Sequence, residues 1–262
     1  MIDLKALVRR EIGFRVISEA KLRLTRAGPT LALRRRETFE VNRARAILKR
    51  PPTALVATII PTYKRHQLLT RAVESALRQS VANHAVIVID DGGGLPRLPD
   101  DPRLTTVSLS RNCGIVGVVR NVGIRVSESR FVAFLDDDNV WTPNHLDVSL
   151  AAHANGADLT YTALQRVLPN GNPVGDALSW PFHRQRLLNE QSIDVSTVVV
   201  KRRRGVLFSR VPRRRGDVPR EDWELVFRLS RTMRTEHVPV VTVRYLVSPD
   251  SYFTPWKVAS NR

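Results

Sequence analysis

Apolar residues recur along this chain in two alternating rhythms. Residues 54–60, 85–89, 104–109 and 130–135 are short runs rich in Val, Ile and Leu, and each reads as a buried strand. Between them, 65–79 places Leu68, Leu69, Ala72, Val73, Ala76 and Leu77 on one helical face, and 115–126 reads as a second helix. This alternation predicts an α/β chain with a mostly parallel, covered sheet. Past residue 151 the rhythm loosens. Residues 159–168, 194–200 and 238–245 read as strands, 220–233 as a helix and 169–173 as a turn. Residues 174–191 have no clear period and read as a mobile loop, and 139–143 read as the start of a helix. No internal repeat is visible.

The first 50 residues follow a different pattern. Leu4, Leu7, Val8, Ile12 and Val16 recur at helical spacing among Lys5, Arg9, Arg10 and Arg15. Gly28-Pro29 interrupts this pattern, a second basic segment runs from 31 to 50, and Pro51-Pro52 marks a boundary. Two units are therefore expected, a basic helical N-terminal extension over 1–50 and a domain over 51–262.

Charge sharpens that division. Residues 1–50 carry 14 Lys/Arg against 5 Asp/Glu, residues 51–150 carry 10 of each, and residues 151–262 carry 18 against 10. The net +17 thus sits on two flanks around a neutral middle. Such flanks suit an anionic partner, whether nucleic acid, a phosphorylated acceptor or an anionic membrane surface. The basic clusters 201–204 and 213–215 have no aromatic residue between their charges, which argues against single-stranded nucleic acid. The single cysteine, Cys113, excludes an internal disulfide, suits a reducing compartment and reads as a packed thiol. Charges at Lys5, Arg9, Arg10 and Glu11 interrupt any secretory apolar region, and no run is long enough to span a bilayer. The expected location is cytoplasmic, with peripheral contact at the inner face of the membrane.

The candidate chemistry centres on Asp136-Asp137-Asp138, which closes the fourth apolar run. A buried strand delivers such acids to the carboxyl edge of a sheet, where open α/β sheets bind ligands. Strand alternation would turn Asp136 and Asp138 one way and Asp137 the other. Three adjacent carboxylates repel, and a hard divalent cation, Mg²⁺ or Mn²⁺, is their natural counter-ion.

Four motifs accompany the acids: IIPTYKR at 59–65, VIVIDDG at 86–92, NCGIVGVVRNVGI at 112–124 and EDWEL at 221–225. With FLDDDNVWTP at 134–143, this order and spacing resembles the family 2 glycosyltransferases over about residues 54–247. The resemblance implies a GT-A fold, a single mostly parallel sheet flanked by helices. It implies that 51–150 binds a nucleotide-diphosphate sugar and 151–262 a glycan or lipid-linked acceptor. It also implies inverting transfer in cell-envelope or polysaccharide synthesis. Pro61, Thr62, Tyr63, Arg65, Asp90, Asp91, Arg120, Asn121, Asp136 and Asp137 form the implied donor-binding set. Asp136 and Asp138 match the Asp-x-Asp metal motif, and Asp222 matches the catalytic base. Many members read Tyr-Arg-x-His near the last strand, but Tyr245 here is followed by Leu246 and Val247, with Ser248 at the His position. That puts a third protein metal ligand in doubt. His237 reads as a surface residue. A nucleotidyltransferase would also use paired acids and a metal, but it calls for a Gly-rich phosphate loop where this chain has Pro61-Thr62-Tyr63.

Overall fold

A computed structural model describes residues 13–190, 193–214, 217–218 and 220–247. Helices α1 (Phe14–Thr25) and α2 (Ala27–Leu48) lead into strand β1 (Val56–Thr62). The expected break at Gly28-Pro29 is milder than the sequence suggests. Both residues lie in the first turn of α2, where a proline removes no helical hydrogen bond, and the break between the two helices falls two residues before Gly28, at Arg26. The part of the N-terminal pattern before Gly13 lies outside the described residues.

After β1 come α3 (His66–Leu77), β2 (His84–Asp90), β3 (Leu104–Ser108), α4 (Val116–Val126) and β4 (Phe131–Phe134). Next are β5 (Val140–Trp141), α5 (His145–Ala154), β6 (Leu159–Val167), β7 (Val198–Lys201), α6 (Glu221–Leu229) and β8 (Thr235–Leu246). They form one eight-stranded sheet in the order β3-β2-β1-β4-β7-β6-β8-β5. Strands β1 to β4 are parallel, with Ile59 opposite Phe134 and Thr62 opposite Asp90, so their carboxyl ends share one edge. Every residue of β1 and β2 is buried, as expected for strands covered on both faces. One core layer packs Ile59, Ile89, Val122 and Phe134 beneath α2, α4 and α6, and the other packs Ile60, Val88, Leu69 and Leu146 beneath α3 and α5.

Several elements differ from their sequence reading. The stretch 139–143 forms no helix, because Val140 and Trp141 pair with Arg244 and Val243 on the edge of β8. Trp141 is buried there, and its indole N–H donates to the carbonyl of Ser196 at 2.7 Å. The run 194–200 is a strand only from Val198. Before that, the Asp194 carboxylate accepts from Ser196 N at 2.8 Å and closes a single 3₁₀ turn, Val195–Thr197. Strand β8 is longer than read. Its register against β6 slips between Thr162 and Ala163, opposite Pro239 and Val240, where proline has no N–H to give the ladder. Residues 174–190 are irregular but anchored, by a bridge between Leu164 and Leu178 and by buried Leu187. His237 is half-buried rather than a surface residue, with its ring 5.0 Å from that of Tyr161 and hydrogen-bonded to Ser179.

Helix α2 packs on α4, which covers the sheet, and α1 packs on the single turn Arg186–Leu188. Val41 and Ala44 are part of the main core. Glu37 is fully buried, accepting from both Nε and Nη2 of Arg210 at 2.7 and 2.6 Å, from Arg125 at 3.0 Å and from Asn121 at 2.9 Å. A charge buried this deeply is tolerated only with partners of this kind. Among the described residues no helix is long and apolar enough to cross a membrane.

Candidate active site

The shared carboxyl edge of β1, β2 and β4 opens into a cavity of about 890 Å³. Pro61, Thr62, Tyr63 and Arg65 line it from the end of β1, Asp91 from the end of β2, and Val116, Gly117, Val119 and Arg120 from the start of α4. Asp136, Asp137 and Asp138 enter from β4, Glu221 and Asp222 from the start of α6, and Tyr245 from β8. Residues more than 100 apart in sequence thus meet at the edge where ligands bind in open α/β sheets.

The three acids do not alternate. Strand β4 ends at Phe134, and the chain then turns, with Asn139 N donating to Asp136 O at 3.1 Å, so the two-residue period is lost. Asp136 accepts from Arg120 Nη2 at 2.6 Å. Asp137 and Asp138 instead share Arg65, whose Nη1 donates to them at 3.1 and 2.7 Å. Asp137 also accepts from the Thr62 hydroxyl at 2.7 Å. Arg120 is buried, and its other terminal nitrogen donates to Glu221 at 2.9 Å, so one guanidinium joins the acid run to α6.

Arg65 and Arg120 are outnumbered by the acids at this edge, and Arg166, Arg213 and Arg220 also line the cavity. Burial, with Asp136 and Asp137 close by, pushes the Asp138 carboxyl up to about 7 despite Arg65. Burial also raises Asp137. Asp222 is raised by burial, then by Glu221 and Asp194, and Asp194 by burial and then by Asp136. A hard divalent cation fits such a set of oxygen donors, because it would relieve the repulsion among clustered carboxylates. Among the described residues no group of three or more His, Cys, Asp or Glu side chains is arranged to hold a metal. Fewer protein ligands suit a cation that also takes oxygens from substrate phosphates.

Other sequence-selected residues take different positions. Asp90 does not face the cavity. It is buried, and its two oxygens accept from the backbone N–H of Gly93 at 2.8 Å and Gly94 at 3.0 Å, folding the glycine turn instead of offering an acceptor to a base. Asp91 does line the cavity, and accepts from Cys113 N at 2.7 Å and Gly114 N at 2.9 Å. Asn121 lies beneath the floor. Its side chain donates to Glu37 and to Phe208 O and accepts from Phe208 N, which consumes the groups expected beside the donor. Cys113 is packed as expected, and burial pushes its thiol up to about 12. Asp222 is not the N-cap of α6, which is Arg220. It lies in the first turn and accepts from Trp223 N at 2.7 Å. A carboxylate there is favoured by the helix dipole, which offsets part of its burial. Ser248 lies outside the described residues.

Two acids escaped the sequence reading. Asp194 lines the cavity within electrostatic reach of Asp136, Asp138 and Asp222, and its signal was a lone carboxylate at the head of the Val-rich run 195–200. Glu37, in the N-terminal extension, gave no signal because its partners are Asn121, Arg125 and Arg210, far along the chain.

The profile of glycosyl transferase family 2 matches residues 57–208. WcaA of Escherichia coli K12, named for colanic acid biosynthesis, is 36% identical over 104 residues, 37% of this chain and 37% of WcaA. WfgD of Escherichia coli, a UDP-Glc:alpha-D-GlcNAc-diphosphoundecaprenol beta-1,3-glucosyltransferase, is 27% identical over 155 residues, 56% of this chain and 60% of WfgD. The chain thus spans less than two thirds of either relative. Staphylococcus aureus TarS 1–349 in complex with UDP-GlcNAc shares the fold with a TM-score of 0.58 at 17% identity, over 75% of this chain and 60% of that one.

Proposed function

The chain belongs to glycosyl transferase family 2, and from that premise we propose that it is a metal-dependent, inverting glycosyltransferase. The donor is a nucleotide-diphosphate sugar and the acceptor a hydroxyl of an envelope glycan or lipid-linked saccharide. The observation that carries this reading is the buried Arg120, bonded to Asp136 on one side and Glu221 on the other. It fixes the acid run against the helix that bears Asp222. Relatives named for polysaccharide and lipid-linked glycan synthesis support the substrate class. A structural neighbour from Pyrobaculum calidifontis, a mannosyltransferase in complex with GDP-Man and Mn²⁺, supports a divalent cation.

In this reading Asp138, with Asp136, would hold Mn²⁺ or Mg²⁺. The ion would stabilise the negative charge that develops on the leaving diphosphate. Tyr63 and Asp91 border the space for the nucleoside, and Arg65 and Arg120 keep Asp138 and Asp136 in place. Asp222 takes the proton from the acceptor hydroxyl as that oxygen attacks the anomeric carbon, and its raised affinity for protons suits a base. Attack opposite the leaving group inverts the centre without a covalent intermediate.

The test is a screen of UDP-, GDP- and dTDP-sugars with the purified protein and Mn²⁺, reading release of nucleoside diphosphate. Slow hydrolysis of one donor, stopped by excess chelator, is expected. Release that persists in chelator would contradict the metal role, and no release from any donor would contradict the donor class.

A further inference from the structure

The extension sorts its charges by face. Among the described residues 13–50 the acids are Glu19, Glu37 and Glu40, and all three are buried and ion-paired, with Arg213, Arg210 and Arg43 among their partners. Lys21, Arg34, Arg35, Lys49 and Arg50 are all exposed. The outer surface of the extension therefore carries cations and no acid.

It also carries apolar side chains. Nine large apolar residues are exposed among the described residues, and six of them, Phe14, Ile17, Leu24, Leu31, Phe39 and Ile47, lie in α1 and α2. Leu24 is 81% exposed and Phe39 58%. On α2, Leu31, Arg35 and Phe39 follow one another at four-residue steps, so they share a stripe, on the face away from buried Glu37, Val41 and Ala44. Helical clustering of this kind is not random scatter of surface apolar residues.

We propose that the outward face of α2, built on Leu31, Arg35 and Phe39, docks on an anionic lipid bilayer. A bilayer interface takes both halves of this surface, since the acyl boundary accepts Leu31 and Phe39 while lipid phosphates accept the arginines. A second copy of the chain fits less well, because a two-fold contact sets the same patch against itself and would oppose Arg35 to Arg35. Nucleic acid would satisfy the cations but leave Leu31 without an apolar partner. This inference does not depend on the sugar-transfer reading.

The test is co-sedimentation of the full chain with vesicles of pure phosphatidylglycerol or pure phosphatidylcholine. Binding to the first and not the second is expected, with release by high salt. Leu31→Ser with Phe39→Ser, and separately Arg34→Gln with Arg35→Gln, should each weaken binding roughly tenfold while leaving the melting temperature unchanged. All four side chains are exposed, so both pairs should fold. Wild-type protein that fails to pellet, or pelleting that neither pair reduces, would overturn the proposal. A lipid-free dimer that dissolves in the Leu31→Ser/Phe39→Ser variant would overturn it in favour of a second copy.

Discussion

Arg120 donates to Asp136 at 2.6 Å from a side chain that is only 3% exposed, and the same guanidinium holds Glu221. The pair is therefore a joint between two distant motifs as well as a local charge balance. Replacing Arg120 by Met leaves two carboxylates facing each other without their cation. Breaking a buried pair in this way costs about 3 kcal/mol or more. A denaturant titration of Arg120→Met should show that loss, together with lost transfer, whereas an unchanged midpoint would mean that the joint contributes no stability.

The acid cluster gives a pH dependence with a definite sign. Asp138 has a carboxyl raised to about 7 by burial and by its neighbouring acids. A group raised on folding contributes stability that is fully present below its unfolded value and is lost as pH rises through its folded value. Metal-free protein should therefore lose thermal stability between about pH 4 and 7 from this group. Mn²⁺ favours the ionised form, so it should raise Tm more at pH 8 than at pH 5. Melting curves at the two pH values check this, and an equal or reversed effect would contradict cation binding at Asp138.

Asp138→Asn removes a charged oxygen that the proposed cation would use and also relieves repulsion among the acids. Transfer should fall by about 10²-fold or more, since the ion is asked for several kcal/mol of charge stabilisation. The metal-free protein should melt at the same temperature or higher. Loss of activity together with a large fall in Tm would instead assign Asp138 a structural role.

The N-terminal extension is part of the fold. Glu37→Gln keeps the shape but removes the charge shared by Arg210, Arg125 and Asn121, and should cost about 1–3 kcal/mol. A chain starting at Pro51 would lose Val41 and Ala44 from the core and should aggregate or melt far earlier. Equal melting temperatures for the shortened and full chains would show that the helices are dispensable.

Much of this architecture could be read from the sequence, for a physical reason. Strands buried on both faces are largely apolar runs, so β1, β2 and β4 stand out, and the acids that follow β4 mark the ligand edge directly. What stayed hidden depends on partners far along the chain. Nothing near Asn121 or Glu37 shows that each bonds the other, 84 residues away. Asp90 matched a motif, yet the glycine turn beside it takes both of its oxygens. The alternation expected of Asp136 to Asp138 failed because the strand ends two residues before the first of them.

The most direct measurement compares Asp222→Asn with the wild type in donor affinity and in transfer. Asparagine keeps the shape and can still accept from Trp223 N. The nucleotide-sugar Kd measured with Mn²⁺ should change by less than about threefold, while transfer falls by about 10²-fold or more, the scale of general-base catalysis. Transfer at the wild-type rate, or a loss confined to donor binding, would contradict the assignment of Asp222 as the base.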